Sequence, residues 1–136
     1  MSYLLDTVVV SELMKKNQHP GVMRWLDVQE SRLLFVSVVT VGEIEQGIER
    51  LPHGERRRAY ERMVRVALPA RFAGRILPVS IEVASSWGIF SGRHKQTLPV
   101  VDGLIAATAR THGLAVVTRN VVDFRRFDVP VINPWI

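Results

Sequence analysis

The 136-residue chain contains no cysteine. That absence removes disulfides, thiolate nucleophiles and cysteine-based zinc sites together. Its four histidines, His19, His53, His94 and His112, are scattered and form no HExxH pair, so an imidazole-held metal is disfavoured and any metal must be held by oxygen. No apolar run approaches the roughly 20 residues that a membrane-spanning helix needs. The N-terminus also lacks the basic-then-apolar layout of a secretory signal, so the expectation is a cytoplasmic protein with no membrane partner. Internal repeats and low-complexity segments are absent as well.

What is present is an ordinary globular composition, 47% hydrophobic and 23% charged, which predicts one domain spanning residues 1–136. The net charge of +5 points to a polyanionic partner, because lysines and arginines that neutralise phosphates supply most non-specific nucleic-acid affinity. Arginines cluster at Arg56, Arg57, Arg58, Arg62 and Arg65 and again at Arg119, Arg125 and Arg126, with Arg93, His94 and Lys95 between. A solvated helix face with basic loops accounts for any one cluster equally well.

The chain is organised around YLLDTVVVSE, residues 3–12. Tyr3, Leu4 and Leu5 form an apolar run without polar alternation, as in a strand buried on both faces of a parallel sheet. Asp6 ends the run, at the strand end where open α/β sheets collect their functional groups. Thr7 offers an N-cap hydroxyl for a helix through Val10, Leu13 and Met14. A second helix follows, from His19 to Glu30 with Pro20 near its start. Leu33–Val39 is a second β-rich run, and Thr40 is placed to cap the amphipathic helix TVGEIEQGIERL. Glu43 then falls in that helix's first turn, either as a site acid or as the capping-box partner of Thr40, with Gly47 leaving room beside it.

A basic helical region follows from Gly54 to about Ala73, broken or ended near Pro69 and Gly74, and Ile76–Val79 is a short strand candidate toward an edge. Ser80 caps a helix through Val83, Trp87 and Phe90, after which SGRHKQTLP reads as a basic loop. Pro99 opens VVDGLIAATARTHG, apolar almost all round and hence buried. Asp102 is anomalous there, since a buried carboxylate costs several kcal/mol, by order of magnitude, unless it is paired, hydrogen-bonded or metal-bound. The bland alternative is a helix-start acid. Ala115–Thr118 supplies another parallel strand, TRNVVDF brings Thr118, Asn120 and Asp123 to the same edge, and Pro130–Ile132 offers a last edge strand. Carboxylates gathered without histidine or cysteine suit a hard cation, Mg²⁺ or Mn²⁺, of the kind that activates water for phosphodiester cleavage.

With those residues in view, YLLDTVVVSE, SVVTVGEIEQGI, LPVVDGLIAATA and TRNVVDF resemble the successive motifs of PIN-domain ribonucleases, specifically bacterial toxins of the VapC/FitB type, along the whole chain. The resemblance implies a three-layer α/β fold with a parallel sheet in the order 3-2-1-4-5, a Mg²⁺-dependent endoribonuclease acting on cellular RNA, a cognate antitoxin and a homodimer. It places the family's acidic quartet on Asp6, Glu43, Asp102 and Asp123, with Thr118 as a supporting hydroxyl. Asp6, Asp102 and Asp123 become metal ligands, Ser11 and Asn120 supporting polar groups, and Arg93, Lys95 and Arg119 contacts to RNA. Some members carry an acid where this chain has Asn120, so either Asp123 or a water held by Asn120 completes the site.

Competing folds demand other residues. A dehalogenase-type phosphatase wants DxD where this chain has Val8, a receiver domain wants an adjacent acidic pair and a late lysine, and a dinucleotide-binding fold wants GxGxxG. None is present. The alternative from another class is a catalytically silent module of the same fold that binds RNA or protein, which the loss of an acid would signal.

Overall fold

Tyr3–Leu5 forms the central strand, β1, of a five-stranded sheet in the computed structural model, which describes residues 1–136. Leu34–Ser37 (β2) and Ala115–Val117 (β4) flank it, and Ile76–Leu77 (β3) and Val131–Ile132 (β5) form the edges. All pairings are parallel and the order is β3-β2-β1-β4-β5, the expected 3-2-1-4-5. Register pairs Leu4 with Phe35 and Val116, and Leu5 with Val36 and Val117. Because side chains alternate across a strand, these neighbours feed two separate cores. Leu4 and Val116 pack with Ile105, Ala106, Phe124 and Phe127 on one face, while Leu5, Val36 and Val117 pack with Val9, Val10, Val22, Ile44 and Phe72 on the other. Both faces are covered, which is why the strands read as unbroken apolar runs.

The helices are α1 (Thr7–Leu13), α2 (Pro20–Asp27), α3 (Val38–Glu49), α4 (Glu55–Arg62), α5 (Leu68–Arg71), α6 (Ile81–Arg93), α7 (Val100–His112) and α8 (Val121–Arg125). Helices α1, α2, α3 and α5 supply the core on the Leu5 side, and α7 and α8 that on the Leu4 side, with Phe90 of α6 packed against it. No helix is long and apolar enough to cross a membrane.

Several local expectations are corrected. Asp6, not Thr7, is the N-cap of α1, and its carboxylate accepts the Thr7 N–H. The strand β2 stops at Ser37, whose hydroxyl accepts the Val39 N–H at 3.0 Å, so α3 starts at Val38. The β-branched pair Val38–Val39 favours a strand by propensity, but a satisfied cap overrides so weak a preference. Thr40 is therefore inside the helix and fully buried, Glu43 lies in its second turn, and there is no capping box. Arg93 is the last residue of α6, so the basic loop begins only at His94. Pro69 breaks nothing: a π-helical stretch, Met63–Ala67, joins α4 to α5. Proline lacks an N–H and crowds the carbonyl four residues back, and the wider turn just before it relieves that mismatch.

The arginine-rich helix is divided in purpose. Arg57 reaches Glu49 at 2.8 Å, and Arg65 reaches Glu61 at 2.9 Å and Glu45 at 3.2 Å, tying α4 and the π-helical stretch to α3. Arg58 and Arg62 make no ion pair and are exposed.

Two helical glycines differ in their surroundings. A Cβ on Gly47 would meet nothing within 4 Å, so no neighbour requires the room expected beside Glu43, whereas a Cβ on Gly103 would lie 3.0 Å from the Trp87 ring and 3.3 Å from Phe127. Gly103 thus sets the close approach of α6 and α7 beside Asp102. Gly47→Ala is expected to raise stability by about 0.5–1 kcal/mol through helix propensity. Gly103→Ala should fail to show that gain in the same urea titration, and equal gains would show that Trp87 yields freely.

Candidate active site

The site is built outward from the end of β1. The Asp6 N–H makes the last ladder bond to the Val117 carbonyl at 3.0 Å, after which the chain turns into α1. The Asp6 side chain is only 3% exposed. Its Oδ1 accepts the Thr7 N–H at 2.7 Å, and its Oδ2 accepts the Thr118 hydroxyl at 2.8 Å. Thr118 Oγ1 in turn accepts the Asn120 N–H at 3.0 Å, so one hydroxyl joins the ends of β1 and β4 and holds the loop into α8. Glu43 reaches in from the second turn of α3, half-buried, and accepts the Thr7 hydroxyl at 2.5 Å. Asp102 occupies the first turn of α7 and Asp123 the first turn of α8.

The charges of these groups act on one another. Burial pushes the Asp6 carboxyl up to about 6, with the Asp102 and Glu43 charges adding to the rise and the bonds from Thr118 and Thr7 opposing it. Asp102 is also raised, first by burial and then by Glu43 and Asp123, with Arg126 opposing. Each acid is therefore linked electrostatically to at least one other. No lysine or arginine forms an ion pair with Asp6, Glu43 or Asp102, whereas Asp123 is 52% exposed and lies 3.7 Å from Arg126. No three of the carboxylates are gathered into a tight cluster. Asp6, at the sheet end, is more deeply buried than Asp102, although the sequence around Asp102 is the more apolar.

The remaining sequence-predicted residues are looser. Ser11 lies one turn beyond Thr7 on α1, and its side chain bonds to none of the acids. The Asn120 side chain makes no cap bond, and only its backbone N–H joins the network. Arg93 and Lys95 are exposed at the end of α6 and just past it, and Arg119, next to Thr118, holds its guanidinium 5.7 Å from the Trp135 ring centre. None of the three touches an acid. Two participants escaped sequence reasoning, Thr7 as the donor to Glu43 and Thr40 beside it; a hydroxyl immediately after the site aspartate was the available signal. Glu12 is a buried acid of another kind, fixed by the His19 N–H at 3.0 Å and by Lys15 at 3.2 Å.

A parallel sheet in the order 3-2-1-4-5 flanked by helices defines a PIN-type fold, and the PIN domain family matches residues 3–130. The chain belongs to the PIN-domain family, and within it to the VapC/FitB type. It is 38% identical over 136 residues to the VapC ribonuclease Y4jK of Sinorhizobium fredii, covering 97% of this chain and 96% of that protein. It is equally similar to the toxin FitB of Neisseria gonorrhoeae, 38% identical over 136 residues with 97% of each chain covered. The solved structure of FitAB bound to an IR36 DNA fragment matches with a TM-score of 0.87 at 34% identity, covering 98% of this chain and 96% of that one.

A pH dependence follows from Asp6. Its folded-state pKa lies above the ordinary 3.8, so below about pH 4 both folded and unfolded chains carry the proton and Asp6 costs nothing. As pH rises toward 6 the unfolded chain ionises first, stability falls, and the loss is complete above the folded value of about 6. A rise of about two units corresponds to about 3 kcal/mol. In EDTA, Asp6→Asn should gain on the wild type by that order between pH 4 and 7.5 in parallel denaturant titrations. A difference independent of pH would show that Asp6 ionises as freely folded as unfolded.

Proposed function

We propose that this chain is a divalent-metal-dependent endoribonuclease, the toxin of a toxin–antitoxin pair, which cleaves cellular RNA and works as a cytoplasmic homodimer. The observation that carries the reading is a buried Asp6 coupled in charge to Glu43 and Asp102, none of the three in an ion pair with a lysine or arginine. An all-oxygen donor set of like-charged carboxylates is matched to a hard cation, and it is an expensive arrangement for any purpose that does not use the charge.

Asp6, Asp102 and Asp123 would hold the ion, Mg²⁺ with Mn²⁺ as its substitute. What such an ion supplies is a Lewis acid for activating water and offsetting charge at a phosphodiester. The chain's own residues do the positioning. Thr118 and the Thr7 N–H fix both oxygens of Asp6, and Glu43, unpaired with any cation, is placed to accept a proton from the attacking water. Arg119, Arg93 and Lys95 present exposed positive charge for phosphates, in keeping with the net charge of +5. Ser11 and Asn120 would support the site through ordered water, the exposed Asn120 amide lying closest in sequence to Asp123.

The antitoxin is supported by the company of the fold. The solved structures of FitAB bound to DNA and of FitAcB from Neisseria gonorrhoeae align with 98% of this chain at 34% identity. Charge-coupled carboxylates of which Asp6, Glu43 and Asp102 make no ion pair also form a surface that an intruding arginine of a partner would seek.

The direct test is incubation of partner-free protein with cellular RNA in Mg²⁺ and then in EDTA, with the cut ends mapped. Asp6→Asn and Asp102→Asn should each lower cleavage by about a hundredfold or more, since a neutral amide is a poorer ligand for a hard cation. RNA affinity should stay near wild type and fall steeply with salt. Undiminished cleavage by either variant would remove that residue from the mechanism, and RNA binding with no cleavage by wild type in Mg²⁺ or Mn²⁺ would identify a silent binding module.

A further inference from the structure

We infer that Thr7 is a positioning residue of this site, holding the Glu43 carboxylate in place beside Asp6 without a cation, so that its charge remains available to the metal-bearing site; the inference rests on the metal-dependent reading above. Thr7 makes two different bonds to two acids. Its backbone N–H donates to Asp6 Oδ1 at 2.7 Å, and its hydroxyl donates to Glu43 Oε1 at 2.5 Å across 36 residues of sequence.

A hydroxyl carries one proton, and an ionised Glu43 can only accept. With that proton given to Glu43, Thr7 Oγ1 is left to receive one from Thr40 Oγ1, 3.1 Å away and fully buried on α3. Thr40 and Glu43 are three residues apart on that helix and so share a face. The result is a chain of neutral donors, Thr40 to Thr7 to Glu43, joining the starts of α1 and α3.

Two features separate this from generic helix pinning. Asp6 has a second donor in Thr118, but Thr7 is the one side chain that bonds to Glu43. Elsewhere the chain fixes its acids with cations, Glu12 with Lys15 and Glu45, Glu49 and Glu61 with arginines, which consumes their charge. Fixing Glu43 through a hydroxyl sets its rotamer and leaves the charge available. Partners of this kind around a metal site typically contribute about ten- to a hundredfold in affinity or activity.

The test uses Thr7→Val, which removes the hydroxyl while keeping the N–H to Asp6, and Thr7→Ser, which restores the hydroxyl. Mn²⁺ binding by titration calorimetry is measured on partner-free protein, with RNA cleavage kinetics in parallel. Thr7→Val should weaken Mn²⁺ binding and lower kcat by about tenfold or more while leaving KM for RNA unchanged, and Thr7→Ser should recover both. Thr40→Val, which removes only the outer donor, should show a smaller loss in the same direction and decides the matter if Thr7→Val does not fold. Wild-type Mn²⁺ affinity in Thr7→Val, or a serine variant as weak as the valine one, overturns the role of Thr7 and leaves the ribonuclease reading intact. A wild-type chain that binds no Mn²⁺ overturns the metal reading and this inference with it. Wild type that binds Mn²⁺ in a Thr7-dependent way but cuts no RNA defeats only the ribonuclease reading.

Discussion

An ionisable carboxylate at the end of the central strand, with almost no contact with water, is the constraint on which the rest of this structure depends. Removing such a group from water is costly unless it is hydrogen-bonded or paired, and Asp6 has no basic partner. Its two oxygens are held instead by the Thr118 hydroxyl and the Thr7 N–H. Those donors are in reach only because β1 lies between β2 and β4 and because Leu4 and Leu5 anchor it to a core on each face. Moving the strand by one residue would exchange the two faces and carry Asp6 out of the crevice.

The molecule treats its acids in two ways. On the outside, between α3 and the long basic helix, Glu45, Glu49 and Glu61 are matched with Arg57 and Arg65, and Glu12 near the end of α1 takes Lys15 and a backbone N–H. At the carboxyl edge of the sheet, Asp6 and Glu43 are held by hydroxyls and an N–H group, and Asp6 and Asp102 rise above the usual carboxylate range. Exposed ion pairs contribute modestly to stability, typically about 0–1 kcal/mol each, so the pairs of the exposed Arg65 mainly orient helices. Asp6, Glu43 and Asp102 form no ion pair, an arrangement whose electrostatic cost a purely structural site would avoid.

Membership of the PIN-domain family accounts for the architecture without settling the chemistry of each residue. The acidic positions of a fold can be inherited with or without activity, and function has to be argued from the site. Four acids are linked electrostatically here, and three of them form no ion pair.

The sequence alone was enough to settle the class of fold and to single out four acids that the structure couples in charge. Strand-like runs at Tyr3–Leu5, Leu33–Val39 and Ala115–Thr118, alternating with helical patterns, point to a buried parallel sheet, and parallel strands put their carboxyl ends on one edge. That is local information, carried by residues adjacent in the chain. Tertiary structure decided what depends on distance in sequence. Ser37 displaced Thr40 as a cap, which moved Glu43 into the second turn and made Thr40 a buried donor. Thr7 lost the capping role to Asp6 and turned its hydroxyl to an acid 36 residues away. Arg57 and Arg65 became struts while Arg58 stayed free, although the three share one basic run. Hydrogen bonds and ion pairs act over about 3–4 Å, and which groups come within that range is set by the packing of α1 and α3 against the sheet, which no local pattern encodes.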